Sequence, residues 1–421
     1  MAFHYIKDLL ENGKELKITV VGMGYIGLPT ATLFASAGYK VMGYDIDEHT
    51  INTLESGKIT IVEPGLQELF STVISKGALK PTNILEPSDL FIICVPTPFS
   101  TTDGERKADL SYVRHASEEI GRVLKRGNIV VLESTVPPGT TSHIVAPILE
   151  KTSGLTQEAD FFTAHCPERV LPGKMLYELR HNDRIIGSDD EETGNILKEI
   201  YSSIVTDGHI YLTDDKTAEL CKLVENTYRD VNIAFANELS MICDKLGIDV
   251  WKLIRLANKH PRVNIMRPGP GVGGHCLAVD PWFIVEQVPE LAKVIRTCRE
   301  TNEYKTQWIT EKIDERIHSE LGDRKGIKVG ILGLAYKPNI DDLRESPALH
   351  IASSLCGKGY KVLACEPNIA QDRKFEGIDL VDLTDLVERS DFVVYAVAHT
   401  KFAYALPFIG GKPIFDAVGV L

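Results

Sequence analysis

The stretch LKITVVGMGYIGLPTATLFASAGYKVMGYDID, Leu16–Asp47, decides the fold. Ile18–Val21 is a β-branched apolar run and reads as a buried strand. Gly22, Gly24 and Gly27 follow as G-x-G-x-x-G. A helical pattern then runs to Ala37, and Gly38 stops it. A second strand, Lys40–Tyr44, ends on Asp45. Strand, glycine turn, helix, strand and terminal acid together make a βαβ unit suited to a dinucleotide. Gly22 makes the tight turn, and Gly24 lets a pyrophosphate approach the helix N-terminus. Gly27 lets helix and strand pack closely. Asp45 is placed for the adenosine ribose hydroxyls and would repel a 2′-phosphate, which favours NAD over NADP. The alternative is a tightly packed βαβ unit without a ligand.

Two later strands break at ends where open α/β sheets bind ligands. Leu90–Val95 breaks at Pro96, and Ile129–Leu132 breaks into Ser134-Thr135-Val136-Pro137-Pro138. Thr97 and Thr135 are therefore cofactor contacts or plain turn residues. The C-terminal part repeats the plan. AGYKVMGYDID from Ala37 resembles KGYKVLACEPN from Lys358, and SDLFIICVPTP from Ser88 resembles SDFVVYAVAHT from Ser390. The turn after the intervening strand keeps Gly330 and Gly333 but lacks a third glycine, so a second doubly wound domain with a different ligand is expected. Ser319–Gly326 reads as the linker before it. The fold class is α/β, with two Rossmann-like parallel-sheet domains bridged by a long central helix, Thr217 to Gly247.

The chain has 421 residues, enough for two or three domains, and a formal net charge of -13. No basic run stands out, so a nucleic-acid partner is not expected. The start lacks an apolar h-region, no run is long enough to span a membrane, and a cytoplasmic protein is expected. The eight cysteines are scattered without C-x-x-C and read as reduced thiols. His165-Cys166 and His275-Cys276 invite a metal, but neighbours on an extended backbone point apart. No metal site is expected.

On the central helix Lys222, Asn226 and Arg229 lie at i, i+4 and i+7, on one face. Leu220, Leu223 and Val224 flank Lys222. A half-buried lysine beside an asparagine can stabilise an oxyanion, whereas a solvated polar face is the alternative. The spare apolar surface of this helix is a seat for a homodimer or higher homo-oligomer. Further on, GPGVGGHCLAVDPWF, Gly269–Phe283, packs five glycines and prolines into six positions before a cysteine. Oxidising an alcohol needs no nucleophile. A thiol beside a nicotinamide can trap an aldehyde as a thiohemiacetal, which gives up a second hydride and leaves a thioester for water. Cys276 is that thiol, or else a buried structural one. Asp280, four residues on, would move a proton or hold the lysine.

VGMGYIGLP, CVPTP, STVPPGT, ELCKLVEN, the Gly-Gly-x-Cys loop and DDLRESPA together resemble the nucleotide-sugar dehydrogenases over nearly the whole chain. The GVGGHC loop, with CPERVLPGK and HPRVNIMRPGPG, resembles the N-acetylhexosamine branch. The resemblance implies two-step oxidation of a C6 alcohol, with UDP-N-acetyl-D-mannosamine as the expected substrate. The same chemistry on UDP-N-acetylglucosamine, UDP-N-acetylgalactosamine or UDP-glucose is the alternative. It implies Cys276 as nucleophile, Lys222 and Asn226 as oxyanion holders, and Glu168 as an acidic helper. Arg169, Val170, Arg229, His260, Arg262, Asn264 and Gly273 would border the sugar. Tyr336 and Lys337 would meet the diphosphate. Arg344 would reach NAD, with Tyr25, Ile26, Asp45, Thr97 and Thr135 completing the cofactor set. The implied domains are an NAD-binding one at 1–215, a central helical one with the catalytic loop at 216–320, and a UDP-binding one at 327–421. Relatives often carry a basic residue where Val418 stands here, with Lys401 or Lys412 as possible substitutes. A single-step hydroxyacid dehydrogenase and a non-catalytic NAD-binding protein are the rival readings.

Overall fold

The computed structural model describes residues 4–13, 15–102, 105–171, 173–403, 409 and 411–420. They form two compact units, Met1–Val224 and Glu225–Leu421.

In the first unit β1 (Lys17–Val21), β2 (Lys40–Tyr44), β3 (Leu79–Thr82) and β4 (Leu90–Ile93) precede a small antiparallel hairpin, β5 (Phe99–Thr102) and β6 (Glu105–Ala108). Then come β7 (Ile129–Leu132), β8 (Phe162–His165), β9 (Arg184–Gly187) and β10 (Ile210–Thr213). Apart from the hairpin, these strands form one sheet, ordered β3-β2-β1-β4-β7-β8-β9-β10. Its pairings are parallel, save one antiparallel bridge, His165 to Gly187. β4 and β7 are buried at every residue, as strands covered by helices on both faces must be. β4 ends at Ile93 rather than at the expected Val95. Beyond it, Ser134 Oγ accepts from the Val95 N–H (2.9 Å) and donates to the Val95 carbonyl (2.8 Å), so the chain bonds a side chain instead of a ladder.

The long helix, Asp215–Leu246, carries the chain across the boundary into the second unit and ends at Gly247, where φ is +68°. A second long helix, Lys293–Leu321, escapes the sequence reading and absorbs Ser319–Leu321 of the expected linker. Its apolar stripe is thin, because the buried face includes Arg299, Asn302, Lys305 and Thr310 beside three isoleucines. The second sheet, β11 (Lys328–Leu332), β12 (Lys361–Cys365), β13 (Ile378–Leu380), β14 (Phe392–Tyr395) and β15 (Ile414–Asp416), is parallel and ordered β13-β12-β11-β14-β15.

The internal repeat has a physical cause. Asp89 accepts the N–H of Lys17 at the start of β1, and Asp391 accepts that of Lys328 at the start of β11, both at 2.9 Å. Gly22 donates to the Tyr44 carbonyl (2.8 Å), and Gly333 donates to that of Cys365 (3.0 Å). Gly333 (φ +91°) is thus the turn residue, while Gly330 lies inside β11 against Leu386 and is not part of the turn.

Candidate functional site

In the first unit the glycine turn is built as its sequence requires. A Cβ on Gly22 would sit 2.5 Å from the Cys94 carbonyl oxygen, and one on Gly27 would sit 1.8 Å from that of Gly22. Gly24 is exposed, with open space where a side chain would stand. The helix Gly27–Ser36 starts without a side-chain cap, with the Leu28 N–H donating to the Gly24 carbonyl (3.2 Å) and Pro29 offering no N–H. Asp45 accepts from the Met23 N–H (2.8 Å) and the Asp47 N–H (2.9 Å), which ties the strand-end acid to the turn. An open cradle, an uncapped helix start and a carboxylate at the strand end fit NAD. Tyr25 is exposed, and Ile26, Thr97 and Thr135 are half-buried.

After β8 lies a buried polar cluster. Glu168 accepts from Arg184 Nη2 at 2.8 Å, and Glu133 stands 3.5 Å from Nη1. The hydroxyl of Tyr201 donates to Glu133 (2.7 Å), and the Cys94 thiol donates to its other oxygen (3.3 Å). Burial pushes the Glu133 carboxyl up against the pull of Arg184. Burial also pushes the Cys94 thiol well up and the Cys166 thiol to about 12, which leaves both unreactive. The Arg169 N–H donates to Glu168 (2.9 Å), and its guanidinium donates to the Asp183 carbonyl. Arg169, Tyr211, Thr213, Thr217 and Cys221 line a cleft of about 340 Å³. Val170 is half-buried.

Lys222 is half-buried on the long helix. Of its expected apolar neighbours only Leu223 is buried, while Leu220 and Val224 are exposed. One turn earlier Glu219 accepts from the N–H groups of Gly139 and Thr141 and from the Thr141 hydroxyl. It anchors the STVPPGT turn, and burial pushes it up to about 7.

In the second unit Asn226 Nδ2 donates to Asp280 Oδ2 at 2.5 Å, and both residues are buried. Asp280 therefore holds the asparagine. Its N–H and that of Val279 donate to the Cys276 carbonyl (2.8 and 3.0 Å), so Cys276 lies in a tight turn at the start of the helix Asp280–Gln287. Cβ atoms on Gly273 and Gly274 would come within 2.6 and 2.9 Å of Tyr336, and the Gly274 N–H donates to the Arg344 carbonyl (3.0 Å). The Arg344 guanidinium grips Asp342 (2.7 Å) and overcomes that carboxyl's burial, holding it below its usual range. Burial first, then Asp342 and Cys276, push Tyr336 up. Asn226, Cys276, Asp280, Gly273, Tyr336 and Arg344 are thus brought together. Arg229, His260, Arg262, Asn264 and Lys337 stand exposed.

At the C-terminal edge Lys412 donates to the Val387, Glu388 and Ser390 carbonyls, and Lys401 to that of Pro367. The basic group beside Val418 is instead Arg267, whose Nη2 donates to the Val418 (3.3 Å) and Gly419 (3.0 Å) carbonyls. Sequence reasoning missed Arg184, Ser134, Glu219 and Arg267, because each acts on a partner far along the chain.

Comparison with known proteins places these features. The NAD binding, central and UDP binding domains of the UDP-glucose/GDP-mannose dehydrogenase family match residues 16–205, 216–304 and 330–421. A UDP-N-acetyl-D-mannosamine dehydrogenase from Campylobacter jejuni is 48% identical over 397 residues, covering 92% of this chain and 96% of its own. An NDP-N-acetyl-D-galactosaminuronic acid dehydrogenase from Ralstonia solanacearum is 47% identical over 393 residues, covering 91% of each. The solved UDP-D-ManNAc dehydrogenase of Pyrococcus horikoshii superposes with a TM-score of 0.87 at 40% identity, covering 96% of both chains. With all three of its domains present in order, the chain belongs to the UDP-glucose/GDP-mannose dehydrogenase family, whose NAD-binding domain carries the glycine turn and whose central domain carries Cys276.

Proposed function

We propose that the protein oxidises the C6 alcohol of UDP-N-acetyl-D-mannosamine to the carboxylate. Two NAD are reduced and one water is consumed per sugar, with Cys276 as covalent nucleophile. The observation that carries this reading is the Cys276 turn, braced by Asp280 and packed glycine-to-ring on Tyr336. A one-step alcohol oxidation has no use for a thiol held in that way. NAD supplies the hydride acceptor for each of the two oxidations.

The chain's residues do the rest. Lys222 and Asn226 stabilise the substrate oxygen as it becomes anionic, and Asp280 fixes the amide that does so. The Cys276 thiolate adds to the aldehyde carbon, giving a thiohemiacetal whose oxidation leaves a thioester. Glu168, held by Arg184, takes a proton from the water that cleaves the thioester and frees the thiol. Tyr336 and Lys337 hold the diphosphate, and Arg344 contacts the cofactor. Arg169, Val170, Arg229, His260, Arg262, Asn264 and Gly273 border the sugar. Residues 1–215, 216–320 and 327–421 act as the NAD-binding, central and UDP-binding domains. Tyr228, Phe235, Ile242 and Leu246 form an exposed apolar stripe on the long helix, a seat for a second copy. No helix among the described residues is long and apolar enough to cross a membrane, and eight free thiols suit the cytoplasm.

The relative named for N-acetyl-D-galactosaminuronic acid is nearly as similar as that named for N-acetyl-D-mannosamine, so identity alone does not choose the epimer. NADH release across UDP-N-acetylmannosamine, UDP-N-acetylgalactosamine, UDP-N-acetylglucosamine and UDP-glucose tests the reading. The expected result is the highest kcat/KM on the first and two NADH per sugar. A site built to pair with an acetamido group rejects a sugar lacking it by as much as about 10⁴-fold. Fastest turnover of UDP-glucose, or one NADH per sugar, would overturn the assignment.

A further inference from the structure

A glycine-rich loop has few side chains with which to pack, so its backbone polar groups carry much of what fixes its position. The loop from Gly269 to Leu277 is held in this way, by a chain of fully buried side chains that the chemistry above does not use. At its start the Gly269 N–H donates to Asn237 Oδ1 (2.9 Å). Asn237 Nδ2 donates to Asn302 Oδ1 (2.8 Å), and Asn302 Nδ2 donates to Asp230 Oδ1 (2.8 Å). Asp230 receives the Arg299 guanidinium, and Arg299 Nη1 also reaches the carbonyl of Leu277 at 3.4 Å, one residue past Cys276. Asp230, Asn237, Arg299 and Asn302 are each at most 1% exposed. A separate grip comes from Thr306, whose hydroxyl donates to the Pro270 carbonyl (2.9 Å).

We infer that Asn237, Asn302, Asp230, Arg299 and Thr306 are positioning residues, a hydrogen-bonded clamp that sets where Cys276 stands by holding its loop at Gly269, Pro270 and Leu277. The spacing makes this possible. Asn226, Asp230 and Asn237 lie at i, i+4 and i+11 of the long helix, on one face, and Asn226 already holds Asp280. Arg299, Asn302 and Thr306 lie at i, i+3 and i+7 of the second long helix. Two long helices thus hold one loop through Asn237, Arg299 and Thr306, with Asp230 and Asn302 linking Asn237 to Arg299. Burying an ion pair and two amides is not how a chain gains stability, since apolar residues of the same shape do as well. Buried polar groups are directional, and what they add here is a defined place for the loop backbone.

This inference rests on the covalent role of Cys276, and its test reads the loop independently of turnover. Asn237→Ala releases the Gly269 end, and Thr306→Val releases Pro270 at a half-buried site without changing side-chain shape. In each folded variant, without NAD or sugar, the rate of Cys276 alkylation by iodoacetamide is followed by mass spectrometry. Steady-state kcat and KM for the UDP-sugar are measured alongside. The expected result is a several-fold change in the Cys276 labelling rate. A fall in kcat approaching about 10²-fold, larger than any rise in KM, should accompany it, as for an ångström-scale misplacement. A merely structural role would lower the melting temperature and leave both rates of the folded molecules unchanged, and that result in Thr306→Val overturns the inference even if Asn237→Ala does not fold. If labelling shifts but the wild type oxidises no UDP-sugar, the clamp stands and the proposed function fails.

Discussion

Replacing Arg184 by methionine isolates what the buried cluster behind Glu168 contributes. The Arg184 side chain is 4% exposed, that of Glu133 is 0% and that of Glu168 is 8%. The guanidinium lies 2.8 Å from Glu168 and over the Tyr201 ring, 5.2 Å from its centroid. Methionine fills much of that volume but leaves two carboxylates without a counter-charge. Breaking a buried pair from one side costs about 3–5 kcal/mol. For a unit of roughly 200 residues this lowers the melting temperature by on the order of 10 °C. Calorimetry reads that drop, and fluorescence titration of NAD reads whether the glycine turn is intact. Because Glu168 loses the group that aims it, kcat for acid formation should fall while NAD affinity stays near wild type. Adding Glu133→Gln removes one of the stranded charges, so Arg184→Met/Glu133→Gln should regain part of the stability and none of the kcat. A melting temperature within about 2 °C of wild type would refute the energetic reasoning. Unchanged kcat would refute the placement of Glu168 by Arg184.

His165 is fully buried, neither ring nitrogen has a hydrogen-bond partner among the described residues, and burial lowers its pKa to about 3. An unfolded histidine titrates near 6.5, so the neutral ring's contribution is complete above that pH and is lost as pH falls toward 3. The loss amounts to about 2 kcal/mol by pH 5. Calorimetry at pH 7.5 and 5 should show His165→Leu escaping that loss, and equal losses in the two proteins would count against it. Asp45→Ala should narrow the preference for NAD over NADP, read as the ratio of kcat/KM values, and wild-type protein using both equally would contradict the cradle. Burial pushes up the thiols of Cys94, Cys166, Cys243, Cys298, Cys356 and Cys365. Iodoacetamide should therefore label Cys276 ahead of all six, with substrate protecting it, and Cys276→Ala should bind NAD yet form no acid. Acid formation at the wild-type rate would exclude the covalent route.

The first βαβ unit was legible because everything that defines it lies within about thirty consecutive residues, each with its own local reason. The second sheet was legible only through its echo of the first, and the echo misled at Gly330, since two glycines three apart also fit a strand with one close neighbour. The helix Lys293–Leu321 was hidden for a different reason. Its buried face carries Arg299, Asn302 and Lys305, and apolar periodicity cannot register a core face built of polar side chains. The same holds for the site. Cys276 stood out because alcohol oxidation leaves a thiol unexplained. Asn237 and Asp230 carry no local signal of their own, because their partners Asn302 and Arg299 lie 65 and 69 residues away. Arg267 beside Val418 follows the same rule at a separation of 151 residues.

The two sheets share one winding and one strand-end acid, and the fate of that acid separates their ligands. Asp45 stays half-buried at the mouth of an open turn, where Gly24 leaves room. Glu366, its counterpart after β12, is completely buried. Its Oε2 accepts from the N–H groups of Leu334 (2.8 Å) and Ala335 (2.9 Å) and lies 2.9 Å from His399 Nε2. His399 Nδ1 accepts from the Asn339 N–H (2.8 Å), so the ring proton is on Nε2 and is donated to Glu366. Those donors outweigh burial and hold the Glu366 carboxyl below its usual range. With Ala335 buried where the first turn has exposed Gly24, a ribose has neither space nor a free carboxylate to meet. Glu366 instead anchors, through His399, the segment at Asn339, whose φ of +62° is a strained geometry that needs such an anchor. That segment follows Tyr336 and Lys337 directly. The residue that reads a ribose in one sheet has become, in the other, the support for the loop expected to meet a diphosphate. One topology can therefore serve as the NAD-binding domain at one end of the chain and the UDP-binding domain at the other.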